Sequence, residues 1–224
     1  MKRGTLAVML MAPVAWCQTE TLHYTINWPS GLSLGEAVMK AERSGDGWSY
    51  EMTMEATIPG FPVKGVFRSV VAKGSCSVSF EKDSLHGKRR AREKSSFDRE
   101  KRVVVRETIG GGKSEIEADS CARDALAFLY FLRNELAAGR VPVPQRIFFG
   151  APYQIRLQHL GAAQMTVGES RIEVDRFSAM LKGPASEMSF EMAFTRDEER
   201  VPVQIRLSVA LGHFVMELVP RPEQ

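Results

Sequence analysis

Apolar and polar residues alternate along most of this chain with a period of two, and that period restricts it to half-buried β-strands. Trp48, Tyr50, Met52, Met54, Ala56 and Ile58 alternate with Ser49, Glu51, Thr53, Glu55 and Thr57. Leu22, Tyr24, Ile26 and Trp28 repeat the pattern, as do Cys76, Val78 and Phe80 against Ser75, Ser77 and Ser79. Stretches 188–194, 203–209 and 214–218 do so again. One face of such a sheet meets a core and the other meets water, which is the habit of antiparallel sheets. Ser44-Gly45-Asp46-Gly47, Gly110-Gly111-Gly112 and Asp197-Glu198-Glu199 suit hairpin turns. The stretch 61–72 fits a short helix or a strand.

One segment breaks the period. After Ser120, an acceptable N-cap, residues 121–138 contain no Gly or Pro, and Gly139 and Pro142 follow as stop signals. Leu126, Phe128, Leu129, Tyr130, Phe131, Leu132 and Leu136 cover nearly the whole circumference, so the helix is buried. The expected fold is mainly β (α+β): a strongly curved antiparallel sheet or half-open barrel packed on one buried central helix at about 121–138. No polar linker divides the halves 18–119 and 145–224, so one domain over 18–224 is expected.

Lys2 and Arg3 precede twelve uncharged, mostly apolar residues, Thr5 to Trp16. That is a signal-peptide core and too short to span a bilayer. The expected leader is 1–17, with the mature chain exported, most simply to the periplasm, and without a transmembrane anchor after cleavage. Cys17 offers a lipid-anchoring site, but bulky Trp16 before it argues against that. Losing Lys2 and Arg3 takes the formal charge from +3 to +1, which excludes a polyanion binder by bulk charge. Cys76 and Cys121 then remain as an even pair in an oxidising compartment, and a disulfide is expected. Closing a loop of that length constrains the unfolded chain by up to ~4 kcal/mol.

The densest charge cluster, 87–94, carries Lys88, Arg89, Arg90, Arg92 and Lys94 without interleaved aromatics, so it reads as a solvated strand and no nucleic-acid partner is expected. His23, His86, His159 and His213 are scattered singly, and neither mature cysteine has metal-ligand spacing. No metal or cofactor is expected. Carboxylate pairs such as Glu51 with Glu55, or Glu173 with Asp175, read as solubilising, and no catalytic residues stand out. The chain has 11 Met and 12 Phe, residues that fill cores or line adaptable apolar cavities.

Cys121-x-x-Asp124-x-Leu126 leading to Tyr130-x-Leu132-Arg133 resembles the central signature of the exported bacterial family called domain of unknown function 3108. Asp197-x-x-Arg200-x-Pro202, followed by Gly212 and Leu218, resembles its closing hairpin. The opening strand Tyr24 to Trp28 and Gly35 also fit, and Cys76 resembles a cysteine that accompanies the helix cysteine in some members. The resemblance covers nearly the whole mature chain. It implies an envelope-facing β-rich domain and supplies no activity. Asp124 and Arg133 lie nine residues apart, 2.5 helical turns, so they point to opposite faces as anchors to surrounding strands. Asp197 fits a turn, Arg200 the strand behind it, and Pro202 an edge or a strand start.

The leading functional expectation is a non-catalytic binder or carrier of an apolar or amphiphilic envelope molecule, a lipid or glycolipid, held in the concavity of the sheet. The alternative is an accessory scaffold that contacts other envelope proteins through sheet edges. An envelope hydrolase ranks third.

Overall fold

The structure is a computed structural model, and it describes residues 19–28, 30–58, 61–209 and 212–220. The expected leader at 1–17 and the lipid-anchoring question at Cys17 lie outside the described residues. β1 (Thr19–Asn27), β2 (Ser33–Ser44), β3 (Gly47–Ile58), β4 (Phe61–Ala72), β5 (Cys76–His86), β6 (Arg89–Asp98), β7 (Val103–Thr108) and β8 (Lys113–Glu117) form one antiparallel meander. A two-residue strand, β9 (Arg123–Asp124), leads into the helix α1 (Ala125–Ala137). A second meander follows: β10 (Gln145–Phe148), β11 (Pro152–Val167), β12 (Ser170–Lys182), β13 (Glu187–Thr195), β14 (Pro202–Val209) and β15 (Gly212–Val219). β15 pairs with β1, which fuses both meanders into one sheet running from β8 at one edge to β9 at the other. Every pairing is antiparallel except β9 with β10.

The sheet rolls up with overlap. The β10 end tucks inside β4–β7, with Phe149 against Phe67 and Phe80 (5.5 and 5.9 Å) and Phe148 edge-on to Phe97 (5.7 Å). Arg106 donates to the Gly150 carbonyl (2.7 Å), and Ser77 N–H donates to the Ala122 carbonyl (3.0 Å). The disulfide Cys76–Cys121 fastens the same seam.

The stretch 61–72 is strand throughout, with Gly65, Phe67, Ser69 and Val71 on the face toward α1. The helix begins at Ala125, four residues later than expected, and its N-cap is Asp124 instead of Ser120. The reason is that 121–124 are held extended. Cys121 is bonded to Cys76, the Ala122 carbonyl is taken by Ser77, and Arg123–Asp124 pair with β10. At the other end Gly139 takes φ +72, the left-handed conformation that suits glycine beyond a helix C-terminus.

The helix is buried on two sides, as its composition requires. Leu126, Ala127 and Tyr130 meet Tyr24, Met39, Tyr50, Phe67 and Phe80 on the β1–β5 wall. Phe128, Leu132 and Leu136 meet Ile147, Ile155, Phe177, Met192 and Phe194 on the β10–β13 wall. Phe131 is half-buried beneath the Arg123 guanidinium, 3.8 Å from the ring centre. Each fully buried side chain of this size contributes about 1.5–3 kcal/mol.

The alternation fails at several bulges, and the one in β5 shapes the interior. Val70 pairs with Ser79 but Val71 with Ser77, so Val78 is the extra residue of a β-bulge. Val78 is therefore exposed, and Ser77 turns inward beside Ser69, contrary to the strict pattern at 75–80.

Leu132 is fully buried at the centre of the helix. Leu132→Ala is expected to lower unfolding free energy by about 2–5 kcal/mol in urea denaturation. Val143→Ala, at a residue 77% exposed, is expected to change it by less than about 0.5 kcal/mol.

Candidate functional site

The motif residues gather around the two ends of α1. At the N-terminal end Asp124 is completely buried and its carboxylate receives four hydrogen bonds. Oδ1 accepts from the backbone N–H groups of Leu126 (2.9 Å) and Ala127 (3.0 Å), which caps the helix. Oδ2 accepts from the hydroxyls of Ser69 and Ser77, each at 2.6 Å, and Asp124 N–H donates back to Ser77 Oγ (2.8 Å). Burial pushes the carboxyl pKa above its ordinary value, while the two hydroxyls and two amide groups pull against that shift. All four donors are spent on anchoring.

At the C-terminal end Arg133 grips Glu20 through both terminal nitrogens (2.7 Å each) and donates twice to the Glu199 carbonyl (3.0 and 3.2 Å). One guanidinium thus ties α1 to β1 and to the β13–β14 turn. Asp124 is the N-cap rather than a helical residue, so it and Arg133 act at the two ends of α1, Asp124 toward β4 and β5 and Arg133 toward β1 and the β13–β14 turn. That turn is set by Asp197, whose Oδ1 accepts from Thr195 Oγ1 and from the N–H groups of Glu199 and Arg200. Arg200 lies in this turn and not on the strand behind it as expected: it sits at φ +48, uncommon for a residue with a side chain, and is held there by Asp175 (2.6 Å) and the Thr195 carbonyl. Pro202 is fully buried as the first residue of β14, and its carbonyl accepts from Tyr24 Oη–H (2.8 Å). Gly212 opens β15.

The opening, central and closing motifs therefore meet at Arg133 and Tyr24. Tyr130 stacks on Tyr50 with centroids 3.9 Å apart. Burial pushes the Tyr50 phenol up to about 12 and raises Tyr24 and Tyr130 as well, so none is a base near neutral pH.

Other groups singled out by sequence are dispersed. Arg90 and Arg92 pair with Asp83, and Lys94 with Glu81, on the solvated face of β5–β6. Glu51 pairs with Arg68 and Glu55 with Lys64. Glu173 and Asp175 do share a partner, Arg196, and Asp175 also meets His159 (3.4 Å). Among the described residues no three His, Cys, Asp or Glu side chains are placed to hold a metal ion. Glu20 and Ser69 are not singled out by sequence, whereas the alternation places Ser77 on the polar side of its strand and Asp175 reads as solubilising; the structure makes both of them anchors, of Asp124 and of Arg200. The signal for Ser69 is its inward place in an apolar strand; Ser77 gives none, because only the bulge at Val78 turns it inward.

The sheet edges differ sharply. β8 carries Lys113, Glu115 and Glu117, a charged guard against strand addition. On the other side β10 pairs with β11 only as far as Ile155. Beyond it, no strand among the described residues pairs with 156–167 on the side away from β12. Arg156 is the only formally charged residue there. A bulge at Leu160, with Gly161 at φ +99, interrupts this edge. The seven residues 161–167 then run on without charge or proline. Their half-buried face, Ala163, Met165 and Val167, packs with Ile172 and Val174 on Ala193 and Val203.

Two outcomes follow from the anchors. Asp124→Ala leaves two hydroxyls and two helix N–H groups unpaired, and a loss of about 3 kcal/mol or more is expected by urea denaturation. Asp124→Asn keeps one oxygen for the cap and is expected to cost less. At Asp175 desolvation raises the pKa but hydrogen bonding to Arg200 and the Arg196 charge outweigh it, so the folded value is lowered. A depressed carboxylate stabilises above its unfolded pKa, and that stability is lost as the pH falls below about 4. Asp175→Asn is expected to flatten this acid limb of the urea midpoint between pH 5 and pH 2.

Nothing among curated proteins matches the chain. Among solved structures it is similar to a beta-barrel-like protein of domain of unknown function DUF1849 from Brucella abortus. The two are 10% identical with a TM-score of 0.61 over 91% of this chain and 96% of that one, a likeness of fold. The pattern of the family described as protein of unknown function (DUF3108) matches residues 22–219, and the chain belongs to that family.

Proposed function

We propose that this protein is a non-catalytic accessory scaffold of the cell envelope, exported to the periplasm, that holds an extended segment of another envelope protein along β11. The observation that carries the reading is the uncharged edge at 161–167. Unpaired N–H and C=O groups along such an edge form a template for another strand, and proteins usually guard it with charge, proline or a cover. This chain guards β8 and leaves β11 open. Strand addition gives affinity through the backbone, and side-chain pockets on alternate residues give selectivity. The basic and apolar start of the sequence and the disulfide support an exported, oxidising setting.

A carrier of a lipid or glycolipid is the second reading. It draws support from Met52, Met54, Leu129, Phe149 and Phe214, which pack at the core's margin and stay only partly buried. Phe128, Leu132 and Leu136 weigh against it, because they occupy the concave face. A lipid-like mass released from the native protein would favour the carrier.

The scaffold is tested with a photocrosslinking side chain placed at Ala162 in cells. A discrete adduct is expected, and it should vanish in Gln164→Lys with Thr166→Lys while stability changes by less than about 0.5 kcal/mol. An adduct that survives both lysines, or amides at 161–167 that exchange as slowly in the isolated protein as the sheet interior, would sink the reading.

A further inference from the structure

On the outer face of β1, β14 and β15 lies a cleft of about 260 Å³. Its floor is Val215. The neighbouring Met216 pairs with Ile26 and Ile205 on the inner side, so Val215 points outward, yet it is buried. The β1–β2 loop closes on itself beside it. Trp28 N–H donates to the Leu32 carbonyl and Gly31 N–H to the Trp28 carbonyl, both at 2.8 Å, with Gly31 at φ +83. Trp28 lines the cleft and is steadied edge-on by Phe214 at 5.1 Å.

The polar groups lie on successive rungs of the sheet. Glu217 sits between Thr25 and Gln204, Val215 between Asn27 and Arg206, and His213 beside Ser208. Asn27 Nδ2 (2.8 Å) and Gln204 Nε2 (3.2 Å) each donate to one oxygen of Glu217. The carboxylate is thereby fixed while keeping lone pairs for other donors, and both amides keep a carbonyl oxygen as acceptor. Arg206 is a diagonal neighbour of Glu217, yet neither forms an ion pair among the described residues. His213 Nδ1 is engaged with Ser208 Oγ (3.0 Å), which leaves Nε2 for another group.

We propose that this cleft binds one acidic sugar ring, a hexuronate. Its hydroxyls donate to Glu217 and the amide oxygens, its C–H face lies on Trp28 and Val215, and its carboxylate meets Arg206 and His213. The volume falls just below the roughly 300–1,000 Å³ of drug-sized sites, which suits one ring rather than a chain. The cleft shares no residue with the β11 edge, so either proposal can fail alone.

The full chain, with Trp16→Phe and Trp48→Phe to isolate the Trp28 signal, is titrated with D-glucuronate and followed by fluorescence and amide NMR. Saturable binding is expected, with shifts at Gly31, Trp28 and His213. Arg206→Gln should weaken glucuronate by about tenfold or more and leave the weaker ligand D-glucose unchanged. Glu217→Gln should weaken both. An oligoglucuronate that binds tighter than the monomer assigns the site to a polysaccharide end, and equal or weaker binding assigns it to the free sugar. Failure to saturate, acetate shifting the same amides as strongly, or preference for phosphoethanolamine would each overturn the proposal.

Discussion

A buried carboxylate organises this structure. Asp124 would be costly in an apolar interior if its oxygens were left without donors. Satisfying it requires a helix N-terminus on one side and two inward serines on the other, supplied by α1, β4 and β5. That requirement fixes where the helix starts, why β5 carries a bulge and how the sheet closes. With the bulge removed, Ser77 would face water and Val78 the carboxylate. Arg133 completes the placement at the far end by holding α1 to β1 and to the β13–β14 turn. The helix is thus pinned at both ends by charge-assisted bonds and gripped along its length by apolar contacts.

What was legible in the sequence is what depends on neighbours a few residues away. The two-residue alternation, the turn triplets and the long apolar helical stretch all report local geometry, and they place the curved sheet on its buried helix. The bulge at Val78 was not legible, because an extra residue shows only against the partner strand. The helix start at Ala125 was hidden for a related reason: Ser120 is an equally good cap by composition, and contacts with β5 and β10 decide against it. The roles of Glu20 and Asp175 depend on partners 113 and 25 residues away. The resemblance pointed to Arg133, Asp197, Arg200 and Pro202 without saying that they form one junction.

The interior and the surface divide their tasks. Inside, Phe128 and Leu132 fill the curve of the sheet, and the polar residues there are spent on holding it. Groups with unspent capacity lie at the unguarded half of β11 and in the outer cleft at Arg206 and Glu217. The partners proposed for this protein accordingly sit at an edge and on the outer face, where side chains and backbone groups are not committed to holding the fold.

The pairing of β1 with β15 bears on the order of assembly. β1, the first strand among the described residues, lies in the middle of the sheet and finds its second neighbour only when β15 arrives. Tyr24 likewise waits for Pro202, 178 residues later. Contacts of such separation carry a loop-closure cost before they give any return, so a chain of this topology folds late and as a whole. Until β15 docks, β1 and β14 remain bare edges in the centre of an unfinished sheet. The open strand at β11 is tolerable in the finished molecule, but two more during folding make the unfinished chain the more adhesive species.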